Sequence, residues 1–168
     1  MRVAVTGTPG TGKTTAVERL DSDLEILHLN EVIHEEEFVV EHDDERDSAV
    51  ADIDAVAEYL DGRDDVLFES HLAHHFDADR VVVLRTHPEE LERRLVDRGE
   101  SDAKAEENAE SEALDVILTE AVERHGEGSV YEVDATEREP DEVAAAIGAV
   151  VAGEREPQAG TVSFLDYL

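Results

Sequence analysis

The amino-acid sequence predicts an α/β domain, a five-stranded parallel sheet with helices on both faces. Three observations carry that expectation. Short apolar runs alternate with segments whose apolar residues recur at helical spacing, and acidic or glycine-containing turns separate them. The first run leads directly into Gly7-Thr-Pro-Gly-Thr-Gly-Lys-Thr-Thr15, which fits the phosphate-loop pattern G-x-x-x-x-G-K-[ST] between a strand and a helix.

Residues 2–6 read as a buried strand. The loop that follows must hold negative oxygens against backbone. Gly7, Gly10 and Gly12 leave that approach open, and the helix expected over 14–20 adds its positive dipole end. Gly10, Thr11, Gly12, Lys13, Thr14 and Thr15 are therefore the candidate contacts for ATP. Lys13 has the reach for the β- and γ-phosphates, Thr14 has the place of a Mg²⁺ ligand, and Thr15 can bond the α-phosphate.

After a turn at 21–23, residues 24–29 make the second strand. A short amphipathic helix over 31–37 and a charged break over 41–47 follow. A helix is expected over 48–60, with Val50, Ile53, Val56, Ala57 and Leu60 on one face, ended by Asp61-Gly62. The third strand, 65–69, closes on Glu69. A carboxylate at the carboxyl end of such a strand holds the Mg²⁺ shell in phosphate-loop proteins, so Thr14 and Glu69 are the metal candidates.

Residues 78–84 form the fourth strand, and Pro88 opens a helix that runs to Arg98 and stops at Gly99. A polar stretch to Asn108 precedes a long helix expected over 109–125, ended by Gly126 and Gly128. Residues 129–134 are the fifth strand and 140–152 the closing helix. The tail, 153–168, contains Pro157 and Gly160 and then Val162, Phe164, Leu165, Tyr167 and Leu168. It admits two readings, a disordered terminus or an apolar segment docked on the domain or on a partner. Ligands of a parallel sheet sit beyond the strand carboxyl ends, where the loop at 7–15, Glu69, Arg85 and the segment after Asp134 would meet.

Charge narrows the function classes. Among 168 residues there are 45 Asp plus Glu and 14 Lys plus Arg, a formal net charge of −31. A chain so acidic repels itself in dilute buffer, whereas in roughly molar salt the Debye length falls to about 3 Å, so the composition reads as that of a salt-accumulating halophile. Acidity spread over every segment fits solvent better than a single basic partner. With no basic stripe, autonomous nucleic-acid binding is not expected. With no Cys, disulfides and thiolate metal sites are excluded. No apolar run reaches membrane-spanning length and the first residues already form a strand, so a cytoplasmic protein without membrane contact is expected.

Scarce cations make their positions informative. Arg85, Arg94 and Arg98 gather around the end of the fourth strand and the Gly99 hinge, as a mobile lid would require, although Arg93, Arg94 and Arg98 could also pair with Glu at helical spacing. His71, two residues past Glu69, is a candidate for orienting an attacking water or coupling the nucleotide to a partner. His74 and His75 suggest a metal pair, but the sequence offers no third ligand at suitable spacing.

Most of residues 1–152 resembles one family, the adenylate kinase isoenzyme 6 type, also described as the coilin-interacting nuclear ATPase, with archaeal members. The resemblance is carried by 7–15, by Asp44-Glu-Arg-Asp-Ser48 leading to Val50-Ala-Asp52, and by Glu69-Ser-His71. Val82-Val-Leu-Arg-Thr86, Leu91-Glu-Arg-Arg-Leu95 and Arg98-Gly99 follow, then Lys104, Glu107-Asn108 and Glu112, and finally Val130-Tyr-Glu-Val-Asp-Ala-Thr136. It implies a nucleoside-monophosphate (NMP) kinase fold, phosphoryl transfer between ATP and AMP, ATPase activity, and a role in late maturation of the small ribosomal subunit beside a platform ribosomal protein.

Carried over by segment, 28–51 is the NMP-binding part and 98–108 the lid. Arg98 would touch ATP phosphate, with Lys13, Glu69 and His71 completing the catalytic set. Arg46, Arg85 and Arg94 would hold substrate, and Asp134 to Thr136 would lie near adenine. Two positions depart from the family pattern: Glu69 stands where Asp is usual, and Glu100 where an aromatic commonly follows the lid Arg-Gly. The alternative function is an ATP-hydrolysing ribosome assembly factor in which NMP kinase activity is secondary.

Overall fold

The computed structural model describes residues 1–43 and 48–168. The sheet is built from β1 (Arg2–Thr6), β2 (Glu25–His28), β5 (Val66–Glu69), β6 (Arg80–Arg85) and β7 (Val130–Asp134), in the order β2-β5-β1-β6-β7. Every neighbouring pair is parallel. Such a sheet is covered on both faces, which is why β5 and β6 read as near-continuous Val, Leu and Phe runs. One face packs Val3, Val5, Leu67, Val82 and Leu84 against α1 (Lys13–Glu18) and α7 (Pro140–Val151). The other packs Ala4, Phe68, Val81 and Val83 against α3 (Ile53–Leu60) and α6 (Val116–His125).

Central β1 places the phosphate loop where the chain has crossed to β2 on one side and later returns to β6 and β7 on the other. The register Val5↔Glu69, Thr6↔Val83 and Arg85↔Asp134 aligns the strand ends beside that loop. A crevice at this switch point follows from topology.

Three expectations are corrected. The helix expected over 48–60 starts only at Ile53, where Asp52 caps it by accepting from the Ala55 N–H at 3.1 Å. Residues Ser48–Ala51 form β4 instead, antiparallel to β3 (Val39–Asp43), so part of the expected charged break is strand. Residues 44–47, including the substrate candidate Arg46, lie outside the described residues.

The long helix over 109–125 is two helices, α5 (Asp102–Ala113) and α6, separated at Leu114 and Asp115. Asp115 takes a left-handed φ of 55° there. Its carboxylate bonds Arg85, an interaction that periodicity cannot register. The preceding helices are α2 (Leu29–Glu35) and α4 (Pro88–Asp97), the latter opened by Pro88 at its first position as expected.

The tail takes the docked reading. Gln158 pairs in parallel with Tyr131, its N–H bonding Val130 O at 2.9 Å and its carbonyl accepting from Glu132 N at 2.8 Å. The chain thus adds one pairing step to the β7 edge. Phe164 is buried, stacked edge-on against His87, and the Tyr167 hydroxyl donates to Glu92 at 3.0 Å. No helix among the described residues is long and apolar enough to cross a membrane.

Candidate active site

The phosphate loop is held open by backbone that only glycine tolerates. Gly10 has φ 94°, and a Cβ there would meet Leu95 at 3.2 Å; at Gly7 a Cβ would lie 2.7 Å from the Leu84 carbonyl. Thr11 closes the turn by donating to Thr8 O at 2.9 Å. Lys13 is buried, and its ammonium donates to Gly7 O at 2.8 Å and Thr8 O at 3.2 Å. Burial pulls its pKa down to about 8, against the raising influence of Glu69 and Glu112. An anion delivered to this loop relieves that penalty, because it supplies the missing opposite charge.

Beyond Lys13, the Thr14 hydroxyl donates to Glu69 Oε1 at 3.0 Å, and the same oxygen receives His28 Nδ1 at 2.8 Å. Ser70 bonds Asn30 at 3.0 Å. His28 and Asn30, at the junction of β2 and α2, carry no motif of their own. Only the parallel pairing His28↔Glu69 brings them here. Burial, followed by the charge of Lys13, lowers His71 to about 4, so its imidazole is neutral at physiological pH.

Three cavities meet around this core. One, of about 290 Å³, is lined by Gly10, Gly12, Thr15, Arg94, Arg98 and Arg138 and floored by Ala135, Pro140 and Val143. A second, smaller one runs over Lys13, Thr14, Asn30, Glu69 and His71. The third, of about 480 Å³, lies between Asn30 and His71 on one wall and Glu100, Lys104, Asn108 and Ser111 on the other. Arg98, exposed at the C-terminal cap of α4, lines all three.

The structure therefore brings together Gly10, Thr11, Gly12, Lys13, Thr14, Thr15, Glu69, His71, Arg94 and Arg98. Arg94 grips the loop itself, donating to Gly10 O at 3.2 Å while pairing with Glu90 at 2.6 Å. Thr136 sits beside the first cavity with its hydroxyl committed to the His87 N–H at 2.9 Å. The exposed Arg138, two residues on, was missed by sequence reasoning because it belongs to no motif.

Arg85 does not reach the cleft. It is fully buried, donating to Glu112 Oε1 at 3.2 Å, to Glu112 O at 3.0 Å, to Glu132 at 2.6 Å and to Asp115, with Phe164 over its guanidinium. The substrate role expected for it is corrected to a structural one. A guanidinium can satisfy several buried carboxylates from one planar fork, which a Lys could not. Glu112 extends the network to the loop, accepting from Thr8 at 3.2 Å and from Thr86 N at 2.9 Å; burial raises its carboxyl against the pull of Arg85.

A family model described as an AAA domain matches residues 3–115. A protein of Natronomonas pharaonis named "Putative adenylate kinase" is 64% identical over 168 residues, covering all of both chains. A protein of the same name in Methanothermobacter thermautotrophicus is 43% identical over 169 residues, covering 99% of this chain and 98% of its own. Among solved structures, shikimate kinase from Bacteroides thetaiotaomicron superposes with a TM-score of 0.60 at 17% identity, covering 90% of this chain and 98% of that one. Deoxyadenosine kinase from M. mycoides with bound dCTP gives 0.53 at 16%, covering 91% and 100%. At such identities these two structures speak to the fold, a phosphate-loop α/β sheet.

Proposed function

Because the chain belongs to the family of these archaeal proteins, we propose that it is a nucleoside-monophosphate kinase moving the γ-phosphoryl group of ATP to AMP or another NMP. One observation carries the proposal. Arg98 faces the cavity beside the P-loop helix, the cleft over Lys13 and the large cavity beyond His71, so a single cation can follow charge from donor to acceptor. Phosphoryl transfer asks for positioning and charge neutralisation more than covalent chemistry, and water must be kept out.

In this reading ATP lies with its phosphates on Gly10 to Thr15 and its base toward Ala135 and Arg138, and the acceptor occupies the cavity beyond His71. Residues 28–51 act as the acceptor segment, in which the resemblance makes Arg46 the candidate contact, and 98–108 act as the lid. The hydroxyl of Thr14 and the carboxylate of Glu69 are hard oxygen donors that fit Mg²⁺, and His28 would orient that carboxylate. When bound, Mg²⁺ would neutralise β- and γ-phosphate charge. Lys13 holds phosphate oxygens, Arg98 closes over them, and His71, neutral and between the two cavities, can accept a hydrogen bond from an acceptor or a water.

The finer reading is the isoenzyme 6 type, in which the protein is cytoplasmic, also hydrolyses ATP and serves small-subunit rRNA maturation. Its support is the resemblance around Glu69-Ser-His71, with a neutral imidazole beside the cleft. A net charge of −31 would direct any ribosomal contact to a platform protein and not to RNA.

Product analysis tests both levels: ADP and inorganic phosphate are followed separately in molar KCl with Mg²⁺ and ATP, with and without AMP. ADP formed without phosphate, and only when AMP is present, is the expected result. Phosphate release indifferent to AMP would overturn the kinase proposal in favour of the assembly ATPase.

A further inference from the structure

We propose that His74, His75 and Glu120 form a site for a divalent first-row transition metal, separate from the oxygen-lined Mg²⁺ position at Thr14 and Glu69. The sequence presents the two histidines side by side but no third donor. The fold supplies it from α6, 46 residues beyond His74.

One nitrogen of each imidazole and one oxygen of Glu120 all lie within 4.8 Å of one another. His74 Nε2 is 2.7 Å and His75 Nε2 3.9 Å from the same oxygen, Glu120 Oε2. Bonds of about 2.0–2.1 Å in a tetrahedral shell set ligand atoms roughly 3.3 Å apart. The two distances straddle that value, so small side-chain rotations alone would complete the shell.

His74 is fixed as a ligand should be. It is fully buried on the short 3₁₀ turn Ala73–His75, and its Nδ1 lies 2.8 Å from Thr6 Oγ1. With Nδ1–H donating to that hydroxyl, Nε2 is left to coordinate, the second bond that most metal-binding histidines make. Its own carbonyl is held by His125 Nε2 at 2.8 Å. His75 and Glu120 have side chains 39% and 44% exposed, which gives an ion its route in and leaves room for water at the remaining position. Two imidazoles with one carboxylate suit Zn²⁺, Co²⁺, Ni²⁺ or Cu²⁺ and not Mg²⁺. Such an ion would tie α6 to the turn that begins two residues after His71.

The test is a calorimetric titration of Zn²⁺ into the chelator-stripped full chain, in molar KCl with millimolar Mg²⁺ present. Salt suppresses diffuse attraction to the acidic surface, and Mg²⁺ occupies the oxygen site. One Zn²⁺ per chain is expected, weakened at least tenfold by His75→Ala and by Glu120→Gln and unchanged in Lys13→Ala. Both altered side chains are partly exposed, so the variants should fold. In parallel, Co²⁺ should give the intense visible bands of a four-coordinate ion in the native chain and lose them in the double variant. Zn²⁺ binding that is the same in the native chain and the double variant, or a Co²⁺ spectrum of the hydrated ion, would overturn the site. Kinase assays in Mg²⁺ test the previous proposal independently, since none of these three residues lines the cleft.

Discussion

Arg85 and Arg98 are the same residue type 13 positions apart in one chain segment, and the fold buries the first in the core while leaving the second exposed at the cleft. Removing Arg85 would strand the carboxylates of Glu112 and Glu132 in the interior. Breaking a buried ion cluster from one side costs about 3–5 kcal/mol. Arg85→Met should therefore show a sharply lowered denaturation midpoint. Arg98→Ala should leave stability within about 0.5 kcal/mol while lowering phosphoryl transfer roughly 100-fold, with ATP binding much less affected. Similar stability losses in the two variants would remove the distinction. For Glu69, Glu69→Ala should raise the Mg²⁺ concentration needed for half-maximal rate at least ~10-fold; an unaltered Mg²⁺ titration would discard it as a metal ligand.

The tail is the element whose role most exceeds its length. Glu132 accepts from the N–H groups of Thr161 and Val162 as well as from Arg85, so the tail is anchored to the same buried cluster that joins β6, β7 and α5. Phe164 covers that cluster, and Tyr167 fastens the end to α4, the helix that carries Arg94 and Arg98. Phe164→Ala should cost about 3 kcal/mol, toward the lower end for a buried aromatic because the site is at the surface.

Burial, then the hydrogen bond to Glu92, raises the Tyr167 phenol to about 12 from its ordinary 10. A raised acid pKa means the folded state keeps the proton longer. The contribution of this contact is therefore complete below pH 10 and is lost as pH rises through about 12. The difference between ultraviolet titrations of the native chain and Tyr167→Phe should show a phenol ionising near 12; ionisation near 10 would mean that the tail end is not held.

At the scale of the whole molecule, the net charge of −31 opposes compactness everywhere at once. Raising KCl from about 0.15 M to about 1 M shortens the Debye length from about 8 Å to about 3 Å. Thermal denaturation should thus shift steadily upward over this range, and a midpoint that falls with salt would contradict the reading of the acidity as adaptation to brine. The interior pairs of Arg85 are shielded from that screening, so Arg85→Met should remain less stable than the native chain at every salt concentration.

By itself the sequence determined the parallel sheet, the phosphate loop, the acid at the end of β5 and the large negative charge. Each is written locally: Val-rich runs, glycines at backbone that admits no side chain, a carboxylate at a strand terminus, and composition. Tertiary structure alone decided that Arg85 is a core ion, that Asp115 interrupts a helix which periodicity continues, and that Ser48–Ala51 pairs as a strand although its apolar spacing suits a helix. It also decided that the tail folds back, that His28 and Asn30 join the site, and that Glu120 meets His74 and His75. The reason is common to all of these. Local pattern records the preference of a segment for its own conformation, whereas these outcomes rest on charge pairs and strand neighbours distant in the chain, whose free energy exists only once the sheet has brought them together.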